Sequence, residues 1–458
     1  MQRRTLLVLA AIFFLSLPAV TVRIYATDEI QYFSYLRSLW FDHDVSFENE
    51  YRYFVETGPG AAPGFSETNL ELTTETGKRI NFGTIGSALL WAPFYAVADL
   101  YVITARAMGS TMPRDGYTYP YVAAVAYGSA VYGFGALVLS FLATMRLLEV
   151  SPQRAVAGTV IVWIGTPLLF YMYLAPVFAH ATSAFSVALF VFVWLTVRQR
   201  WSLGGVVTLG AMGALMVMVR EQDATYLVGP AIDFAWQALR SSRPMIARVI
   251  STGVVAVLAF GVVFVPQALA YLSLNGRVGP SQLVTRKIYW YSPHFFQILA
   301  SPEHGFFFWT PLAILALVGL FIAIWKMWQI PASKPLALAL KAMLLCQIYL
   351  LGGLDSWTSA GAFGQRRFVG ATIFLIIGTT AVLDAAARTA RLKLLAPIVL
   401  VTVYWNLAFM ALFGTELMSR QRIELGRNAY DAFVTLPRMA PSLAYRYLFD
   451  RRSFYRVH

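Results

Sequence analysis

Long apolar stretches, separated by short polar segments, recur along nearly the whole chain. A helix needs about 20 mostly apolar residues to cross the hydrocarbon core of a bilayer. Helices also satisfy their own backbone hydrogen bonds, which lipid requires. The pattern therefore predicts an all-α, polytopic helical membrane protein with about 11–13 transmembrane helices. The candidate segments are residues 6–22, 83–105, 121–147, 157–175, 180–197, 203–219, 226–240, 249–272, 310–326, 337–353, 369–387 and 394–413.

The composition indicates the same class. Of the 458 residues, 58% are hydrophobic and only 13% are charged, and the mean hydropathy is +0.60. Ordinary soluble domains carry about 25% charged residues. The net charge of +13 does not indicate a nucleic-acid partner, because Lys and Arg gather at the ends of apolar segments, as cytoplasmic loops require. The single Cys346 lies within an apolar stretch, which excludes a disulfide framework.

The basic residues also predict an orientation. The chain begins Met1-Gln-Arg-Arg before an apolar run, and no small-residue cleavage site precedes Asp28. We therefore predict an uncleaved first helix with a cytoplasmic N-terminus, which places Asp28 on the far side. Short basic loops between later segments are typical of the cytoplasmic side. The aromatic and polar segments 273–309 and 354–368 would then face the same side as Asp28.

Strict alternation of twelve spanning segments does not give this orientation, so one of them should fail to span. The candidates are the short stretch 226–240 and the stretches 121–147 and 157–175, either of which could be broken. We treat residues 1–413 as one polytopic domain. The tail 414–458 carries eight Arg against four acids, which favours the cytoplasmic side.

The longest polar segment in the first half is 28–80, which we expect to be the first extracytoplasmic loop. Between Tyr32 and Trp40, apolar residues recur at helical spacing, which is typical of an amphipathic helix in the membrane interface. The segment is short and polar, so we expect it to lie on the membrane surface without a core of its own.

Two adjacent acids, Asp28 and Glu29, open this segment directly after the first apolar run. Charges at this depth are costly unless they bind or react, so they mark a candidate site. The alternative is that the two acids have a structural role, as a helix-end cap or as ion-pair partners of Arg23.

An N-terminal helix, an acidic pair at its outer end and a long first loop ending in Ile80-Asn-Phe-Gly-Thr-Ile-Gly86 resemble the GT-C glycosyltransferases. The resemblance is closest to the branch of protein mannosyltransferases and lipid A aminoarabinose transferases, and it covers the first 100 residues. It implies transfer of a sugar from a polyprenyl-phosphate carrier to a lipid, glycan or protein acceptor at the outer membrane face. By match to the acid of that family, Asp28 would be the general base.

Sugar transfer from a lipid phosphate requires few catalytic groups. A sugar on a lipid phosphate already has a good leaving group, so the enzyme needs a base for the acceptor hydroxyl and cations for the departing phosphate. A single direct displacement inverts the anomeric centre. Glu29 would then orient the acceptor or tune its neighbour.

Candidate phosphate-binding cations lie in the predicted outward loops. Arg366 and Arg367 follow glycines and begin a new predicted helix. The planar guanidinium group of arginine can donate two parallel hydrogen bonds to phosphate oxygens. Snorkelling at the membrane face is the alternative. Lys78 and Arg79, at the mouth of the second apolar segment, are further candidates, with a plain surface charge as the alternative.

Other candidate binding residues interrupt apolar runs. His180 follows a proline break, and His304 lies beside Trp309 in a corner suited to a sugar; either can instead be an ordinary interfacial residue. Arg220 and Glu221 stand between two apolar runs, where charges mark either a site or a self-neutralising pair.

We expect no cofactor and favour a reaction without a metal, although the resemblance leaves open that the paired acids Asp28 and Glu29 hold a divalent ion. The other spacing that suggests a divalent ion is Asp42-His43-Asp44, and acids in a solvated loop are usually just solvated. The sequence thus favours an integral membrane glycosyltransferase, placed in a bacterial inner membrane with its site facing the periplasm. The alternative is a lipid or solute transporter or flippase without covalent chemistry. The absence of an internal repeat and the collection of polar residues at helix ends both count against it.

Overall fold

The computed structural model describes residues 2–61, 64–240, 243–359 and 361–454. Within these residues the chain is helical, with short 3₁₀ and π turns and no β-strand. The first ten helices are α1 Gln2–Ser16, α2 Thr27–Arg37, α3 Glu48–Glu56, α4 Gly86–Ala107, α5 Tyr119–Leu147, α6 Pro152–Gly165, α7 Leu168–Tyr173, α8 His180–Val197, α9 Leu203–Val219 and α10 Val228–Leu239. The remaining ten are α11 Arg243–Asn275, α12 Gln282–Thr285, α13 Phe306–Trp309, α14 Leu312–Gln329, α15 Lys334–Gly352, α16 Thr372–Arg388, α17 Leu392–Gly414, α18 Leu425–Tyr430, α19 Leu436–Phe449 and α20 Arg451–Phe454.

Eight helices in the described part of the chain are long and apolar enough to cross a membrane, as expected for a polytopic membrane protein. This number is lower than the 11–13 expected from the sequence. The eight segments are Gly86–Ala107, Tyr119–Leu147, His180–Val197, Ile250–Asn275, Leu312–Gln329, Pro331–Gly352, Arg366–Arg388 and Leu392–Gly414.

The difference lies in four of the predicted segments, none of which forms a single helix of spanning length. The first, 6–22, ends as a helix at Ser16, where Pro18 cannot continue the ladder. The stretch 157–175 is broken at Thr166-Pro167, between α6 and α7. The helices α9 and α10 have 17 and 12 residues. The expected irregularity is thus confirmed for 157–175, whereas 121–147 lies within one continuous helix.

The long helices pack as a bundle with a buried centre. Helix α16 is buried along most of its length, between α14, α5 and α6, whereas little of the segment Ile250–Asn275 of α11 is buried, although that helix packs beside α9. At the start of α4, Gly86 brings that helix against the backbone of α9. A Cβ at Gly86 would lie 2.3 Å from the carbonyl carbon of Met218. Only glycine permits this approach, and it places the start of α4 beside the end of α9.

The first loop packs more deeply than the sequence predicts. Its helix, α2, is present at the expected place, but residues on most of its faces are buried. Phe33 and Tyr51 from the loop share one apolar cluster with Trp91 of α4 and Tyr121 of α5. The expectation of a surface segment without a core is therefore corrected: its aromatic residues complete a core that the membrane helices supply.

The C-terminal tail lies at the same end of the bundle as Asp28. Arg451 donates hydrogen bonds to the backbone carbonyls of Pro18 (2.8 Å) and Ala19 (2.5 Å), just beyond the end of α1. Ile423 donates a backbone hydrogen bond to the carbonyl of Pro302 in the loop 273–309. The charge count favoured the cytoplasmic side for this tail, opposite to Asp28. The structure places the tail at the Asp28 end instead, because Arg451 and Ile423 bond to backbone carbonyls at that end.

Candidate functional site

Several helix ends meet at one end of the bundle. The beginnings of α2 and α8, the end of α9 and the 3₁₀ turn before α16 carry Asp28, His180, Arg220 and the pair Arg366-Arg367. We refer to Arg220, Arg366 and Arg367 as the arginine cluster. A hydrogen bond joins Arg220 to His180, and an ion pair joins Arg366 to Asp28. The structure thus brings together five candidates that are far apart in the sequence.

The first acid of the pair contacts this cluster directly. Arg366 donates a hydrogen bond from its guanidinium to Oδ2 of Asp28, at 2.5 Å. The Asp28 side chain is 40% exposed and that of Arg366 is 16% exposed, so the carboxylate stands at the mouth of the site and the guanidinium behind it. Charge-assisted bonds of this kind are the stronger class of hydrogen bond. The base candidate and a phosphate candidate are therefore in direct contact.

A chain of ring contacts connects Arg366 to Arg220. The guanidinium of Arg366 lies over the ring of Phe178, at 5.4 Å, and Phe178 stacks on His180 at 5.6 Å. Arg220 donates a hydrogen bond to Nδ1 of His180, at 2.5 Å. An arginine cannot accept a hydrogen bond, so this nitrogen of His180 is unprotonated. The histidine therefore acts as a neutral acceptor that orients Arg220.

Gln222 joins the other two arginines. Its Oε1 accepts hydrogen bonds from Arg220 at 3.1 Å and from Arg367 at 3.4 Å. Arg367 also donates to Ser359 and Ser356. Among the described residues, Arg220 and Arg367 form no ion pair with a carboxylate, since their partners are neutral. The cluster therefore keeps an excess of positive charge.

The loop before Arg366 is held by buried polar contacts. Gly364 has φ = +64°, and a Cβ there would lie 2.7 Å from Cγ of Pro167, so this turn requires glycine. Next to it, Gln365 donates to the backbone carbonyls of His304 and Trp357, both at 2.9 Å. These contacts fix the direction in which the arginine pair leaves the loop.

His304 contacts the loop that precedes Arg366. Its ring nitrogens lie 3.4 Å from the carbonyl oxygen of Gly364 and 3.0 Å from that of Arg420, and the ring stacks on Trp309 at 4.9 Å. The side chain is buried, and burial lowers its pKa. His304 is thus placed to hold the loop and the tail together, and its partners are backbone and aromatic groups of the protein itself.

Glu29, the second acid, faces inward. It is wholly buried, and Oε2 accepts hydrogen bonds from the backbone N–H groups of Tyr25 (3.0 Å) and Ala26 (3.2 Å) at the start of α2. Burial raises its pKa to about 8. The carboxyl of Glu29 therefore caps the helix that carries Asp28. A helix-end cap was the alternative to a functional role that the sequence analysis considered for this acidic pair.

Lys78 and Arg79 have partners outside the cluster. Lys78 donates to Oγ of Ser273 at 2.7 Å, and Arg79 forms an ion pair with Glu48 at 3.2 Å. Both contacts tie the end of the first loop to its surroundings. The structure thus does not bring these two residues together with the other candidates.

The segment after Arg220 places two acids in different environments. Glu221 forms no hydrogen bond or ion pair among the described residues, and burial raises its pKa to about 7. Asp223 is buried, accepts a hydrogen bond from Ser183 at 2.6 Å, and has its pKa raised to about 6 by burial. The self-neutralising pair considered from the sequence is therefore absent here, because Arg220 points to His180.

Sequence reasoning missed Phe178, Gln222 and Tyr32. Phe178 and Gln222 link the arginines. Burial raises the pKa of Tyr32, and the charges of Arg220, Asp28 and Arg366 also act on it. The position of Tyr32, one helical turn after Asp28, is a signal that could have indicated it.

In the described part of the chain, no group of three or more His, Cys, Asp and Glu side chains is placed to hold a metal ion. The acids of the site point apart, since Asp28 faces Arg366 and Glu29 faces the backbone of its own helix.

Comparison of the chain with protein-family models, with curated proteins and with solved structures found no match. The argument for a function therefore depends on the residues and their geometry.

Proposed function

We propose that the protein is an integral membrane glycosyltransferase. It transfers a sugar from a polyprenyl-phosphate-linked donor to a lipid, glycan or protein acceptor at the extracytoplasmic face of a bacterial inner membrane. Asp28 is the general base, and the anomeric configuration is inverted.

The observation that carries the proposal is the excess of arginine charge beside one exposed carboxylate. Three guanidinium groups converge, and among the residues that the structure describes only Arg366 of these three has an acidic partner. Such a cluster is costly among membrane helices unless it binds an anion. Guanidinium groups bind phosphate oxygens through two parallel hydrogen bonds. The anion that fits a membrane-embedded site of this kind is the phosphate of a lipid.

The adjacent carboxylate supplies the other half of the reaction. Asp28 accepts the proton of the acceptor hydroxyl while the acceptor oxygen forms a bond to the anomeric carbon. The bond from that carbon to the phosphate oxygen breaks, and its electron pair stays on the phosphate. The arginine cluster stabilises the charge that develops there. His180 and Gln222 hold Arg220 and Arg367 in place for this task.

The test is transfer of radiolabelled sugar by the purified protein from a panel of polyprenyl-phosphate sugars, with mixed lipid and glycan acceptors. We expect turnover by the parent protein, none by Asp28→Asn, and weakened donor binding by Arg220→Gln. The exposed Arg52, which pairs with Glu48 on the first loop, gives a matched control in Arg52→Gln. Donor movement across a vesicle membrane without any bond cleavage would instead support the transporter.

A further inference from the structure

The C-terminal tail forms a nearly continuous helical segment on the outside of the bundle. It consists of α18, a π turn at Asp431–Thr435 and α19. We refer to residues 425–449 as the tail helix. Ala432 and Leu443 are buried, and Leu436 packs against the apolar core of the bundle. One side of the tail helix is therefore part of the fold.

Another side of α19 is apolar and exposed. Side chains four positions apart lie in one row along a helix. Tyr445 is 65% exposed, Leu448 71% and Phe449 73%. A helix that faces water normally carries polar residues on such a side, so this face has a non-aqueous neighbour. The exposed apolar residues of α19 form two adjacent rows, Ala440, Ala444 and Leu448 in one and Pro441, Tyr445 and Phe449 in the other.

A polar row follows the edge of this apolar face. Arg438, Ser442 and Arg446 succeed one another at the same spacing of four. Arg438 and Ser442 are exposed, and Arg438 forms no ion pair with any residue in the described part of the chain. Helix α19 is thus divided lengthwise into a buried side, an exposed apolar side and a polar row. This division is typical of a helix that lies in the plane of a membrane interface.

The tail helix adjoins a helix that is long and apolar enough to cross a membrane, α17. Tyr404 of α17 donates a hydrogen bond to the backbone carbonyl of Ala432 at 2.6 Å, and the ring centroids of Tyr404 and Phe433 are 5.1 Å apart. On α17 itself, Leu400 is 68% exposed, as expected for a side chain that faces lipid. The acyl chains beside α17 are therefore the nearest apolar medium for the exposed face of the tail helix.

Both ends of the tail helix are held at the end of the bundle that carries the arginine cluster. Ile423, just before it, bonds to Pro302, and Arg451, just after it, bonds to the carbonyls after α1. The loop 273–309 at this same end exposes Trp290 and Tyr291. Tryptophan and tyrosine are enriched where a membrane meets water. Two separate parts of the chain thus present aromatic side chains suited to this boundary.

We propose that the tail helix lies in the membrane interface on the side of Asp28, with Tyr445, Leu448 and Phe449 among the phospholipid acyl chains just below the headgroups. Interfacial helices insert their apolar face about 5–10 Å into this boundary. The tail helix thereby keeps the arginine cluster close to the depth at which lipid phosphates lie. This placement is independent of sugar transfer, because it depends on the surface of the tail alone.

The experiment measures the depth of single labelled cysteines in the full-length protein. The native Cys346 is replaced with Ser, and Tyr445→Cys, Leu448→Cys and Ser442→Cys are each labelled with bimane. The labelled proteins are reconstituted into vesicles of phosphatidylethanolamine and phosphatidylglycerol. Bimane fluorescence is then quenched either by iodide on both sides of the vesicle membrane or by phospholipids with a nitroxide near the top or near the end of the acyl chain.

Two further positions calibrate the measurement. Leu400→Cys on α17 reports the membrane core and should be quenched best by the nitroxide near the chain end. Glu56→Cys, at an exposed position on α3, reports water and should be quenched by iodide. We expect the labels at 445 and 448 to be quenched roughly threefold or more strongly by the shallow nitroxide than by iodide, and the label at 442 to show the opposite preference.

All five positions are exposed, so each labelled variant should have the Tm of the parent, and only variants that meet this condition are compared. Iodide quenching at 445 and 448 equal to that at Glu56→Cys would place the tail helix in water and overturn the proposal. Protection of both positions from iodide and from both nitroxides would also overturn it, because a second copy of the chain or another protein would then cover the face.

Discussion

Asp28 and Arg366 are 338 positions apart in the chain, yet their side chains are joined by a 2.5 Å hydrogen bond at the mouth of the site. The contact ties the start of α2 to the turn before α16. It also means that Asp28, the proposed base, and the phosphate of the lipid compete for the guanidinium of Arg366. An incoming phosphate must share or replace Asp28 as the partner of Arg366.

This competition gives Asp28→Asn two opposite effects. The variant cannot accept the acceptor proton, so turnover should fall by at least 10²-fold. It also frees Arg366 from its acid and adds one unit of positive charge, so lipid phosphate should bind more tightly, by roughly threefold to tenfold. Turnover and donor Kd are measured on the same preparation. Asp431→Asn, in the C-terminal tail, should change neither, and weaker donor binding by Asp28→Asn would contradict the competition.

The three arginines should differ from surface arginines in their effect on lipid phosphate. Each of Arg220→Gln, Arg366→Gln and Arg367→Gln should weaken binding of polyprenyl monophosphate by roughly tenfold to a hundredfold, since a charged hydrogen bond contributes about 1.5–3 kcal/mol. Lysine at the same positions should recover only part of the affinity, because it lacks the planar fork. Binding is followed by titration, with Arg52→Gln as the control. Unchanged affinity in all three variants would remove the phosphate site.

His180 should act on the ligand only through Arg220. Replacing His180 with Phe keeps a ring beside Phe178 but removes the acceptor for the guanidinium. The donor Kd should rise less than in Arg220→Gln, and the double variant should bind no worse than Arg220→Gln alone. A double-mutant cycle measures this coupling, which is typically about 0.5–3 kcal/mol for residues in contact. Strictly additive effects would show that His180 contacts the ligand itself.

The turn at Gly364 should be intolerant of a side chain. Gly364→Ala would place a Cβ 2.7 Å from Pro167 at a backbone φ of +64°, which costs about 1–2 kcal/mol for the conformation alone. The displaced loop should lower both the Tm and the affinity for lipid phosphate, since Arg366 follows two residues later. Gly426→Ala, where a Cβ meets nothing within 4 Å, is the control. An unchanged Tm in Gly364→Ala would argue against a rigid loop.

The sequence identifies most members of the site but not their arrangement. Asp28, Arg220 and Arg366 each stand out because a charge beside an apolar run is costly. Nothing local distinguishes them from Lys78, whose partner is Ser273 at the end of another helix. Such pairings depend on how distant helices pack.

The same reason explains the misjudged segments. Apolar length indicates a helix, but Pro167 divides one such stretch in two, and the tail position depends on contacts such as that between Arg451 and Pro18. Phe178 and Gln222 are a further case, because their contacts with the arginines depend on how the segment before α8, the segment after α9 and the turn before α16 pack together.

The stability of the protein should depend on pH through Glu29. Its pKa is raised from 4.5 to about 8 by burial, so the folded protein retains a proton that the unfolded chain loses. Between about pH 4.5 and 8 the folded state therefore binds more protons, and the free energy of unfolding falls as pH rises, then levels off above pH 8. Glu29→Gln keeps an oxygen for the backbone N–H groups of Tyr25 and Ala26 but removes the titration.

We expect Glu29→Gln to match the parent near pH 5 and to exceed its stability by up to a few kcal/mol at pH 9, since one pKa unit corresponds to about 1.4 kcal/mol. The measurement is Tm in detergent across this range. Glu56→Gln, at an exposed position at the end of α3, should show no such divergence. If Glu29→Gln instead became less stable than the parent as pH rises, the carboxylate form would be the native one. Glu29 would then be available as a charge beside Asp28.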